Sequence, residues 1–131
     1  MTIANVSLGN ARGLPPSLRT AQEAIHLPEV QYMLRRLSEY QLGIFMPHMH
    51  DEKTGEFHPL PDEVMQVESG MEVSFQSMEV IASQADRFLP VGWCWRGGAS
   101  TPAAACEMVL AEGSGGAARY DKHKMPKGNF A

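Results

Sequence analysis

The sequence predicts a mainly β domain preceded by N-terminal helices, with its strands forming a small antiparallel barrel or two-sheet sandwich. Three observations carry this expectation. Apolar residues recur at the three-four spacing of a buried helix face only ahead of Gly43. From Ile44 onward the chain breaks into short extended segments separated by turn residues. Its 131 residues are enough for one core and too few for two.

Composition excludes several classes. With 44% apolar and 20% charged residues and a formal net charge of -4, the chain resembles an ordinary globular protein. Basic residues are scattered, apart from Arg119, Lys122, Lys124 and Lys127 in a Gly-rich tail that reads as a solvated end, so no nucleic-acid partner is expected. No stretch has the apolar length of a membrane span or the pattern of a secretory leader; no membrane partner and a cytoplasmic location follow as expectations. Cys94 and Cys106 form no C-x-x-C pair and read as small buried thiols.

The elements follow in order. Thr20 and Glu23 have the spacing of a capping box for a first short helix ending near His26. Pro28 suits the first turn of a second helix, where Val30, Met33, Leu34, Leu37 and Tyr40 share one face and Gly43 is the expected stop. Strands are expected at 44–50, 64–68, 71–76, around Val80, at 88–96 and at 106–111, with "ESGM" as a hairpin turn. Residues 1–42 thus read as a helical segment packed on a barrel of 43–112, followed by a tail at 113–131, one domain overall.

The segment "GIFMPHMHDEKTGEFHPLPDEVMQVESGMEV" holds three of the five histidines. On a strand His48 and His50 point to one side, and two imidazoles so placed can face a single ion. They also fit a plain polar pair at a strand end. A three-residue loop in "EKTGE", with Gly55 left-handed, would set Asp51 opposite Phe57 and His50 opposite His58, bringing a third imidazole to the same face. Alternatively, 51–62 is an inserted loop and the partner strand begins at Glu63.

His48-x-His50, Glu63 and, after six residues, Gly70 resemble the first cupin motif, and Pro90-x-Gly92 in "FLPVGWCWRGG" resembles the second. The resemblance covers about Gly43 to Gly98 and implies a cupin-like antiparallel β-barrel, or jelly roll, that holds a divalent ion and often forms a homodimer. His48, His50 and Glu63 are the ligands it implies. The sequence departs from the pattern in the long gap between His50 and Glu63, in the closeness of Gly43 to His48, and in carrying Trp95 and Ala99 where the second motif has histidine and asparagine. His58 is the candidate to replace that histidine. The mixed donor set accepts iron, manganese, nickel or zinc.

Trp93 and Trp95 share a strand face opposite Arg96. They read either as core or, if that face lines the barrel, as flat walls for a small aromatic substrate whose carboxylate meets Arg96 or Arg87. Glu56 and Glu52 are candidates for proton transfer. "LPVGWCWRGG" with the histidine insertion is similar to a small bacterial family of cupin-like lyases that convert 4-hydroxylaminobenzoate to protocatechuate with release of ammonia. The resemblance therefore implies a metal-dependent lyase, with cupin-type dioxygenase or isomerase chemistry as a variant. The alternative is a non-catalytic ligand-binding or regulatory module.

Overall fold

The computed structural model describes Gly9, residues 12–110 and residues 118–119, the last two and 109–110 through their backbone alone. The expected tail at 113–131 lies outside the described residues apart from Ala118 and Arg119. The protein is mostly sheet with a few helices, its strands forming three separate sheets, none of them a closed barrel among the described residues. No described helix is long and apolar enough to cross a membrane. Contacts group the chain into two compact units, Met1–Pro59 and Leu60–Ala131. The histidine segment up to Pro59 therefore belongs with the helices rather than with the strands that follow.

The first unit contains α1 (Pro16–Ala24), α2 (Pro28–Ser38), β1 (His48–His50) and β2 (Phe57–Pro59). Helix α1 begins four residues before the expected Thr20, because Pro16 occupies the first turn, where its missing N–H and fixed φ suit a helix start. Thr20 is interior, and its Oγ1 donates to the Pro16 carbonyl at 3.0 Å. Helix α2 begins at Pro28 as expected, with Glu29 in its first turn and Arg35 and Arg36 in its last, both favourable to the helix dipole. Of its apolar face, Val30, Leu34 and Leu37 are half-buried, while Met33 and Tyr40 are exposed.

The stop of α2 also differs from expectation. Gln41, not Gly43, takes the left-handed conformation, with φ 63°. Leu42 N–H then reaches the Leu37 carbonyl at 3.1 Å and Gln41 N–H the Ser38 carbonyl at 3.2 Å, the paired bonds of a Schellman close. A side chain there is strained, so Gln41→Gly is expected to stabilise the protein by about 1 kcal/mol. Thermal unfolding followed by circular dichroism at 222 nm should show a midpoint a few degrees higher; an unchanged or lower midpoint would contradict this close.

The second unit is built on a mixed four-stranded sheet in the order β4-β3-β6-β5. Strands β3 (Val64–Ser69) and β4 (Glu72–Ser77) form a hairpin whose two-residue turn starts at Gly70, with φ 70°, matching the turn expected at "ESGM". Strand β5 (Phe88–Arg96) has the expected bounds and turns through Gly97 and Gly98, at φ 59° and 79°, into β6 (Ala99–Glu107). Two consecutive left-handed residues are the signature of a type I′ hairpin, which glycine adopts without strain. Strand β6 then lies parallel to β3. A short ladder of β7 (Val109–Leu110) with β8 (Ala118–Arg119) completes the sheets.

The segment around Val80 is a helix, α3 (Met78–Ala82), rather than a strand. Ser77 caps it, its hydroxyl accepting from Val80 N–H at 3.2 Å, and this local bond outweighs the strand preference of Val80 and Ile81. Ile81 packs on Met65, Val67 and Ala105 of the sheet, with Met78 and Phe88 at the edge of the cluster. Alternation along β3 explains this core: Met65 and Val67 are buried while Gln66 faces the other side.

Candidate metal-binding site

The histidine hairpin is set by its turn. Asp51 Oδ1 accepts from Lys53 N–H at 2.8 Å and Thr54 N–H at 2.9 Å, and its backbone N–H donates to the Glu56 carbonyl at 2.9 Å. These bonds close a loop over Glu52 to Gly55, one residue longer than expected, with Gly55 left-handed at φ 75°. The longer loop shifts the ladder by one: His50 faces Phe57, Met49 faces His58, and His48 faces Pro59. The expected pairing of His50 with His58 is thereby corrected. A one-residue shift moves a side chain to the other face, so His58 lies with Met49, opposite His48 and His50.

Asp51 also supplies a pH dependence. The Thr54 and Lys53 N–H groups hold its carboxyl below the usual aspartate range, with His58 adding a smaller charge effect in the same direction. A carboxyl lowered on folding stabilises the hairpin above its unfolded pKa, and that contribution is lost as pH falls through the folded value. Nuclear magnetic resonance should show the Lys53 and Thr54 amides losing protection together on acidification below the aspartate range, and Asp51→Ala should abolish this step.

His48 and His50 do share a face. Their ring centroids are 5.0 Å apart, with planes at 82°. Phe57 packs against both, at 5.5 Å from His48 and 4.3 Å from His50. His48 Nδ1 lies 2.8 Å from the Met46 carbonyl, which can accept only from a protonated nitrogen; Nδ1–H is therefore the donor, and in the neutral tautomer with that bond the lone pair is on Nε2. A backbone carbonyl on one imidazole nitrogen orients the other for a metal. Two imidazoles on one strand face are a chemistry able to supply two nitrogen ligands, at metal–nitrogen distances of about 2.0–2.1 Å. Among the described residues, no group of three or more His, Cys, Asp or Glu side chains is arranged to hold an ion.

Met46 links the pair to a pocket. A mostly apolar hollow of about 390 Å³ is lined by α1, the start of α2 and residues 44–47, including Ile25, Val30, Ile44 and Met46. Gln22 is its polar wall, its amide donating to Met46 Sδ at 3.3 Å. Sequence reasoning missed the pocket, the Met46 carbonyl and Phe57. Only Phe57 had a readable signal, since a four-residue loop would have placed it opposite His50.

The remaining expected site residues divide between the turn and the second unit. Glu52 and Glu56 are exposed on the hairpin turn. Glu63 is exposed in the second unit just ahead of β3, its carbonyl accepting Met78 N–H at 2.8 Å. Trp93 and Trp95 are 46% and 78% exposed, so the expected interior wall is corrected: the opposite face of β5 is the one that packs.

Arg96 is on that packed face and is buried. Its Nε donates to Thr101 Oγ1 at 2.9 Å, Nη1 to the Pro61 and Val64 carbonyls at 2.9 Å each, and Nη2 to the Pro102 carbonyl at 2.8 Å and Met78 Sδ at 3.5 Å. All five N–H groups of the guanidinium are used within the unit, which corrects the expected role in binding a carboxylate. Arg87 donates to Gln84 at 2.6 Å and pairs at 3.6 Å with Glu107, which also accepts from Ser69. Burial raises both thiols, opposed at Cys94 by Arg96 and reinforced at Cys106 by Glu68 and Glu107. The chain matches no family model, no curated protein and no solved structure.

Proposed function

We propose that the chain is a small cupin-like metal-dependent enzyme that holds a divalent ion through His48 and His50 and acts on a small aromatic substrate. The observation that carries this reading is the shared face of the two imidazoles, with the Met46 carbonyl 2.8 Å from His48 Nδ1.

When bound, such an ion supplies Lewis acidity and an activated water. The chain's own residues do the rest. Ile25, Val30 and Met46 receive the apolar body of the substrate, and the Gln22 amide offers it one hydrogen bond. Glu52 and Glu56, on the turn that follows His50, serve as proton carriers. The reaction implied by the resemblance balances as 4-hydroxylaminobenzoate plus water giving protocatechuate and ammonia, with no external oxidant.

Ammonia release from 4-hydroxylaminobenzoate tests the reading, with protein loaded separately with iron, manganese, nickel and zinc. Turnover that needs the ion and falls at least 100-fold in His48→Ala is expected. Metal-loaded protein inert toward this and other aromatic carboxylates would overturn the assigned activity.

A further inference from the structure

We propose that the outward face of α2 is a self-association surface, on which two copies of the chain pair through antiparallel α2 helices. Helix α2 has no buried residue along its 11 positions. Val30, Leu34 and Leu37 are half-buried on one side of it, while Glu29, Tyr32, Met33 and Arg36 are exposed. The spacing of these four, at i, i+3, i+4 and i+7, puts them on one stripe of the helix. Tyr32 and Met33 stand at its centre, 55% and 53% exposed, with an acid one turn before them and a base one turn after. The Arg35 guanidinium lies over the Tyr32 ring at 5.4 Å and leaves that exposure in place.

The charges select the occupant and its direction. A twofold axis passing between Tyr32 and Met33 sets Glu29 opposite Arg36 of the partner subunit and Arg36 opposite the partner's Glu29. The same axis brings Met33 against the partner's Met33 and Tyr32 against the partner's Tyr32. Every residue of the stripe thus meets a compatible one, which is the requirement of an isologous contact. A parallel copy would bring acid to acid and base to base, which is disfavoured. Within one copy Arg36 pairs with Glu39 at 3.6 Å, both side chains 54% exposed, a contact too weak and too solvated to withhold Arg36 from a second acid. A helix of 11 residues is about 16 Å long, so the two faces bury less than a standard interface of about 1,600 Å², and the dimer is a weak, exchanging one. The surface uses none of the hairpin histidines and stands independently of the metal reading.

The test is sedimentation equilibrium of the full chain from micromolar to millimolar concentration. The native chain is expected to pass from monomer to dimer across this range. Glu29→Arg and Arg36→Glu each place like charges opposite one another twice per dimer, and each is expected to weaken association by about tenfold or more. An equimolar mixture of the two variants restores opposite charges at both pairs and is expected to dimerise as the native chain does. Met33→Asp, at an exposed position, should abolish association with the circular dichroism unchanged, and gives the same reading if a charge variant does not fold. A native chain that stays monomeric throughout, a dimer equally tight in both charge variants and in Met33→Asp, or a mixture no tighter than either variant alone would each overturn the proposal.

Discussion

Replacing Arg96 by methionine is expected to destabilise the second unit by about 3 kcal/mol or more, a large share of a domain's total stability of about 5–15 kcal/mol. The guanidinium ties the carbonyls of Pro61 and Val64, ahead of and within β3, to Pro102 of β6 and Thr101 at its side. Methionine fills much of the same space but donates nothing. Each buried acceptor left without a donor costs about 1–3 kcal/mol; the Val64 and Pro102 carbonyls lose the arginine, while the Pro61 carbonyl keeps the Val64 N–H at 3.0 Å. Lysine keeps the charge with three donors at one point, so Arg96→Lys should fall between the two. Both tryptophans of the chain lie on β5, so their fluorescence during urea unfolding reports the second unit alone. A methionine variant within 0.5 kcal/mol of the native protein would show that Arg96 does not hold this unit together.

The role of Arg96 shows where sequence reading succeeded and where it stopped. Alternation placed Arg96 opposite Trp93 and Trp95, and the structure agrees. Which of the two faces is the interior depends on what packs against β5, and alternation within one strand does not carry that information. Helix α3 and the Met65, Val67 and Ala105 cluster lie on the arginine side instead. Strand β6 was hard to read for a different reason. "ASTPAAACE" is rich in alanine and contains proline, so its strand propensity is low, and it is held by ladders to β5 on one side and β3 on the other. The turns at Gly70 and Gly97–Gly98 and the proline start of α2 were legible because their chemistry is local.

The histidine pair was legible from spacing, since His48-x-His50 needs only an extended backbone. The fate of His58 was not. It turns on a single residue of loop length, decided by the Asp51 carboxylate taking two backbone N–H groups, and that one residue sends His58 to the other face. The Met46 carbonyl that orients His48 carries no sequence signal, because every residue has one.

The central claim, that His48 and His50 hold a divalent ion while His58 does not, is tested most directly by metal content. The measurement is mass spectrometry on protein purified without a nickel column, for the native chain and for His48→Ala, His50→Ala and His58→Ala. Removing one of two imidazoles should weaken binding by 100-fold or more, and acidification should release the ion as protons compete for the ring nitrogens. The expected result is near-stoichiometric metal in the native chain and in His58→Ala, with loss in His48→Ala and His50→Ala. Native protein that stays metal-free after incubation with iron, manganese, nickel and zinc, or metal retained when either imidazole of the pair is removed, would contradict it.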